Sequence, residues 1–133
     1  MDAAELKTHL KFNKKFAKLI EIEENTAKVR LETIKEMTVD EEGLIHVGFI
    51  FGAADFCAMA TVNEPYTLTV RSQCEFMAPI KLGDIIEFVS ETILKETRKH
   101  EIKVIGYLNE IKVFEGVFSC VVLEKHILKK GSL

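Results

Sequence analysis

Between Val47 and Ala60 the chain carries one charge, Asp55, in a run of 14 residues that is otherwise apolar or small. Such a run predicts a helix apolar on nearly every face, and a helix of that kind must be buried on nearly every face. It is too short to span a bilayer, which needs about 20 apolar residues. A carboxylate on a buried helix is costly unless it is paired, solvated through a pocket or used chemically. Asp55 is therefore the first candidate for function. The competing reading is a structural cap or a carboxylate paired inside an interface.

The flanking sequence supplies a sheet. Asp2 and Glu5 form a capping pair for a short N-terminal helix with Ala3, Leu6 and Leu10 at helical spacing. Residues 16–21 predict a first strand, and Glu23-Glu24-Asn25-Thr26 a turn. Ala27, Val29 and Leu31 then alternate with charged residues, the period of a half-buried strand. Asn63-Glu64-Pro65 stops the apolar helix. Beyond it, Leu68, Val70, Ser72, Cys74 and Phe76 alternate with Thr69, Arg71, Gln73 and Glu75. Three more strands follow at 85–94, 100–108 and 111–123, the last two joined by Asn109-Glu110, a hairpin loop without glycine.

Two strands, a buried helix and four strands point to an α+β domain over residues 1–133, with residues 1–15 as an N-terminal helical extension. A twisted antiparallel sheet can curl around a helix about 21 Å long and cover most of it. The remaining helix face and the sheet edges call for a second copy of the chain. The expected assembly is a homodimer, or a tetramer of two dimers.

Composition excludes several chemistries. A net charge of −3 gives no electrostatic case for nucleic acid or an anionic membrane. Cys57, Cys74 and Cys120 are odd in number and far apart, which suits buried thiols in a reducing compartment. No signal-peptide layout is present, so a cytoplasmic protein is expected. His9, His46, His100 and His126 lack metal-ligand spacing, and no metal or cofactor is expected. Ser72, Ser90 and Ser119 lack the context of a nucleophile elbow.

Two segments carry a family resemblance. His46-Val47-Gly48-Phe49-Ile50-Phe51-Gly52-Ala53-Ala54-Asp55 resembles the helix start of hotdog-fold acyl-CoA thioesterases, especially the small phenylacetate-pathway type. Glu75-Phe76-Met77-Ala78-Pro79-Ile80-Lys81-Leu82-Gly83-Asp84 is similar to the same family's aromatic–small–Pro–Gly-Asp segment. The resemblance spans about residues 16–126. It implies a hotdog fold, an antiparallel sheet wrapped around one central apolar helix and dimerised with active sites at the interface. It implies acyl-CoA as ligand, thioester hydrolysis as activity and a place in fatty acid metabolism. By position, Asp55 matches the catalytic carboxylate, acting as general base or nucleophile. The N–H of Val47 or Gly48 would polarise the thioester carbonyl of a site shared with the other subunit. Thr69 sits where relatives place a hydroxyl that orients the attacking water. His46 either contacts substrate or pins the loop. Phe49, Phe51, Phe56 and Met59 are candidates to shape the acyl tunnel, and Arg71, Lys81, Arg98 and Lys99 to meet the phosphates of coenzyme A.

Two positions depart from the pattern. Val47 replaces the first glycine of His-Gly-Gly, and Asp40 stands where some relatives carry an asparagine. Moreover, residues 109–116 are similar to the last hairpin of the acyl-CoA-binding effector domain of bacterial fatty-acid-synthesis repressors. Those domains bind acyl-CoA without hydrolysing it. A non-catalytic acyl-CoA sensor or interaction module is thus the alternative. With 15 residues ahead of the domain there is no room for a helix-turn-helix, so direct DNA binding is not expected.

Overall fold

The apolar run forms helix α2 over Val47–Val62 in the computed structural model, which describes residues 5–129. Asn63 ends it by entering the left-handed region at φ 50°, ahead of Pro65. From Ala53 to Val62 every residue except Asp55 is buried. In the first two turns only Ile50 is buried: Val47 is 52% exposed and Phe51 37%. The expectation of burial on nearly every face therefore holds for the second half of the helix only.

Six strands wrap the helix in the order β1-β2-β4-β5-β6-β3, all antiparallel. They are β1 (Lys18–Glu23), β2 (Thr26–Glu32), β3 (Thr67–Phe76), β4 (Ile85–Lys95), β5 (Lys99–Leu108) and β6 (Ile111–Val122). β1 starts two residues later than the sequence reading. β2 buries Ala27, Val29 and Leu31 as its alternation predicts. Asn109 supplies the positive φ, 57°, that the β5–β6 hairpin needs in place of glycine, a conformation asparagine tolerates. Phe56 of the helix and Phe88, Phe114 and Phe118 of the sheet are fully buried, and the Phe51 ring of the helix stands 5.6 Å from that of Phe118. There the backbone must come close: a Cβ on Gly106 would stand 2.8 Å from the Phe88 ring.

β3 is an edge strand, and it departs from its predicted alternation. Thr69 pairs with Cys120 and Arg71 with Ser119, so Val70 is bulged out, 62% exposed. One extra residue inverts the facing of everything before it. Thr69 thereby turns toward the helix, while Ser72, Cys74 and Phe76 keep the core face beyond the bulge. The strand forms as its alternation predicts, but the alternation is broken at Val70.

The N-terminal helix also differs. Helix α1 spans Leu10–Lys15, and residues 5–9 are irregular. Asp2 and Ala3 lie outside the described residues. Lys7 N–H donates to Asn63 Oδ1 (2.8 Å) and Asn63 Nδ2 donates to the Glu5 carbonyl (2.9 Å). These bonds hold the backbone against the end of α2, and a single helical turn has little intrinsic stability to oppose them. No helix among the described residues is long and apolar enough to cross a membrane. All three cysteines are free thiols; burial pushes that of Cys57 up to about 12.

Candidate active site

Asp55 projects from α2 toward β3, half-buried, and the Thr69 hydroxyl donates a hydrogen bond to its Oδ1. Burial pushes the carboxyl above the ordinary aspartate range, while the Thr69 bond and the nearby imidazole of His9 pull it back. Two thiols adjoin the pair. Burial raises Cys120 to about 12, and Cys74 is raised less, with Ser72 Oγ 2.9 Å from its sulfur. The sulfur of Met59 lies 3.9 Å from Thr69 Oγ1. A carboxylate in this setting is a base stronger than an exposed aspartate, with one oxygen oriented by a hydroxyl.

The start of α2 forms the second part. His46 caps the helix: its Nδ1 accepts the Gly48 N–H at 2.7 Å. That bond pins the loop ahead of the helix. With Gly48 N–H taken, Val47 N–H at the first helical position is the donor left to meet a ligand. Beside it lies an apolar cavity of about 480 Å3, lined by Val39, Leu44, Val47, Ile50, Phe76 and Met77 among others. That volume lies within the range of small-molecule sites. Asp40 does not point into it; its Oδ1 accepts the N–H groups of Glu42 (3.0 Å) and Leu44 (3.3 Å) and closes its own loop.

Within one chain these two parts do not meet. Val47 and Asp55 are eight residues apart on α2, about 12 Å along the axis. The four candidate cations are not gathered either. Arg98 is paired with Glu124 at 2.9 Å. With Lys99 it occupies the β4–β5 hairpin, whereas Lys81 precedes the far end of the 11-residue β4, roughly 30 Å away. Arg71 lies on the outer face of β3. Phe49 is half-buried near the His46 ring, 6.4 Å between centroids, whereas Phe56 and Met59 are core residues. Among the described residues, no cluster of three or more His, Cys, Asp or Glu could hold a metal ion. Sequence reasoning considered His9 only as a metal ligand; its approach to Asp55 is set by the tertiary bonds of residues 5–7, which no local pattern reports.

A curled antiparallel sheet around one buried helix is the hotdog fold, as the resemblance implied. The chain belongs to the family that includes PH1136 of Pyrococcus horikoshii and Cj0977 of Campylobacter jejuni. It is 42% identical to PH1136, covering 97% of this chain and 100% of that one with a TM-score of 0.93. It is 41% identical to Cj0977, a sigma28-regulated virulence protein, covering 92% and 96% with a TM-score of 0.89. The phenylacetic acid degradation protein PaaI of Escherichia coli shares the fold at 14% identity, covering 85% of this chain and 84% of that one, TM-score 0.77. So does a hypothetical thioesterase protein of Streptococcus pneumoniae solved with coenzyme A, at 15%, covering 83% and 88%, TM-score 0.73.

Among curated relatives, the chain is 36% identical over 120 residues to methylthioribose-1-phosphate isomerase of Aquifex aeolicus. It is 27% identical over 110 residues to the transcription factor FapR of Staphylococcus haemolyticus. It matches 90% and 82% of this chain but spans only 26% of the first and 59% of the second. No protein-family model matches it.

Proposed function

We propose that the protein is a cytoplasmic, homodimeric acyl-CoA thioesterase acting in fatty acid metabolism, with Asp55 as its base. The observation that carries this reading is the Asp55–Thr69 pair, a half-buried carboxylate held by a hydroxyl on a helix with no other charge. Asp55 takes a proton from water as the water oxygen bonds to the thioester carbonyl carbon. The C–S bond then breaks, and the thiolate leaves with that proton. Thr69 orients the carboxylate and hence the water. Negative charge on the carbonyl oxygen is met by Val47 N–H and the positive end of the helix.

Reacting atoms must lie about 3–3.5 Å apart, and 12 Å of helix separates Asp55 from its own Val47. The donor therefore comes from a second copy of the chain. The free edge of β3, ten residues long, supports this, since an unpaired edge of that length calls for a partner strand. The acyl group takes the apolar cavity beside Val47, and Arg71, Lys81, Arg98 and Lys99 reach the coenzyme phosphates only as a surface distributed over two copies.

Thioester turnover across a panel of acyl-CoAs, wild type against Asp55→Ala, tests the assignment, and sedimentation tests the dimer. Equal turnover by the variant, or the mass of one chain, overturns the respective part. One observation favours a non-catalytic acyl-CoA sensor or interaction module instead: Gly48 N–H is already bonded to His46, which removes one donor from the oxyanion site. The likeness to part of a transcription factor agrees with it. Calorimetric binding of acyl-CoA without turnover would select that reading.

A further inference from the structure

Residues 5–16 lie as a strap across α2. One end is fastened by the two hydrogen bonds between Asn63 and residues 5–7. At the other end the Phe12 ring stands 5.5 Å from that of Phe56, and 3.4 Å from where a Cβ on Gly52 would be. Gly52 and Phe56 flank Asp55 on the helix. Between the fastenings, Thr8 is buried, and its Oγ1 lies 2.7 Å from His9 Nδ1. His9 itself adopts φ 54°, a left-handed conformation uncommon for a non-glycine residue. The strap thus holds one imidazole nitrogen and the backbone beneath it.

We infer that His9 is a positioning residue of the Asp55 site, an imidazole held by Thr8 whose protonation sets how readily Asp55 ionises. The other titratable groups facing Asp55 are the thiols of Cys74 on β3 and Cys120 on β6, both kept neutral by burial. Fastened at Asn63 beyond Asp55 and at Gly52 and Phe56 around it, the strap lays His9 along the helix face that carries the carboxylate, and the two groups interact electrostatically. His9 also lines a cavity of about 350 Å3 with Tyr66, Leu68, Leu123 and His126. The catalytic consequence rests on the thioesterase reading; the coupling between the two groups does not.

The coupling is read by nuclear magnetic resonance titration of His9 in wild type and in Asp55→Asn. A neighbouring carboxylate favours the imidazolium, so proton affinity at His9 is expected to fall about threefold or more in the variant. By reciprocity the Asp55 carboxyl in His9→Gln should bind its proton more tightly by the same factor. Thr8→Val should weaken both effects with His9 still present. An unchanged His9 midpoint in Asp55→Asn overturns the inference, whether or not any thioester is turned over. With turnover established, the acid limb of kcat/KM should move to higher pH in His9→Gln, with the plateau at high pH retained. A uniform loss at all pH values would instead mean a structural role.

Discussion

Thr69 faces Asp55 because Val70, the next residue, is bulged out of β3. In an unbroken strand Thr69 would share the outer face with Arg71, and the carboxylate would have no hydroxyl partner. Thr69→Val keeps the shape and deletes the donor. Its hydrogen bond favours the ionised carboxylate, so its loss raises the Asp55 pKa further and moves the acid limb of turnover to higher pH. The expected stability loss is about 1 kcal/mol, by denaturant unfolding.

Asp55→Asn is expected to be more stable than wild type at neutral pH. Burial raises the folded-state pKa above the unfolded value, so the folded protein binds this proton more tightly than the unfolded chain. That contribution is fully present below the unfolded pKa and is lost as pH rises through the raised folded value. Thermal midpoints should therefore favour Asp55→Asn by a few degrees at pH 7, and the gap should close below about pH 3.5. A wild type more stable than the variant at pH 7 would mean that the carboxylate is held by a favourable pairing.

Gly48→Ala should act through His46. The added Cβ would stand 2.8 Å from Nδ1 and 3.1 Å from Cε1 of that ring, so the imidazole must leave its cap. Losing such a cap costs about 1 kcal/mol. His46→Ala should cost the same, and the double variant no more than either alone. Full additivity in that cycle would contradict the shared cause.

How much of this was legible in sequence follows the range of the interactions. The charge pattern marked Asp55, and the alternation of Ala27, Val29 and Leu31 marked β2, because both are local. The Val70 bulge was not legible, since Leu68 and Val70 continue an apolar alternation and only the register with β6 inverts it. Nor was the place of His9, which depends on a side chain more than 50 positions further along, Asn63. The four cations read as one phosphate-binding group because sequence does not report that β4 separates them.

Gly106→Ala tests the close packing beneath the helix. Its Cβ would meet Phe88 Cε1 at 2.8 Å and Phe114 Cβ at 3.1 Å. Both phenylalanines are fully buried and cannot swing aside. Overpacking of this kind costs about 1–3 kcal/mol, to be read from denaturant midpoints, with Asp55-dependent activity unchanged in the fraction that folds.

The central claim is that Asp55 removes a proton from water at a thioester. Release of free thiol from acyl-CoA, followed for wild type and Asp55→Asn at a pH above the acid limb, addresses it directly. Wild type is expected to turn the thioester over and the variant to be slower by about 100-fold or more, with acyl-CoA binding retained. Equal rates of thiol release from the two proteins would contradict it.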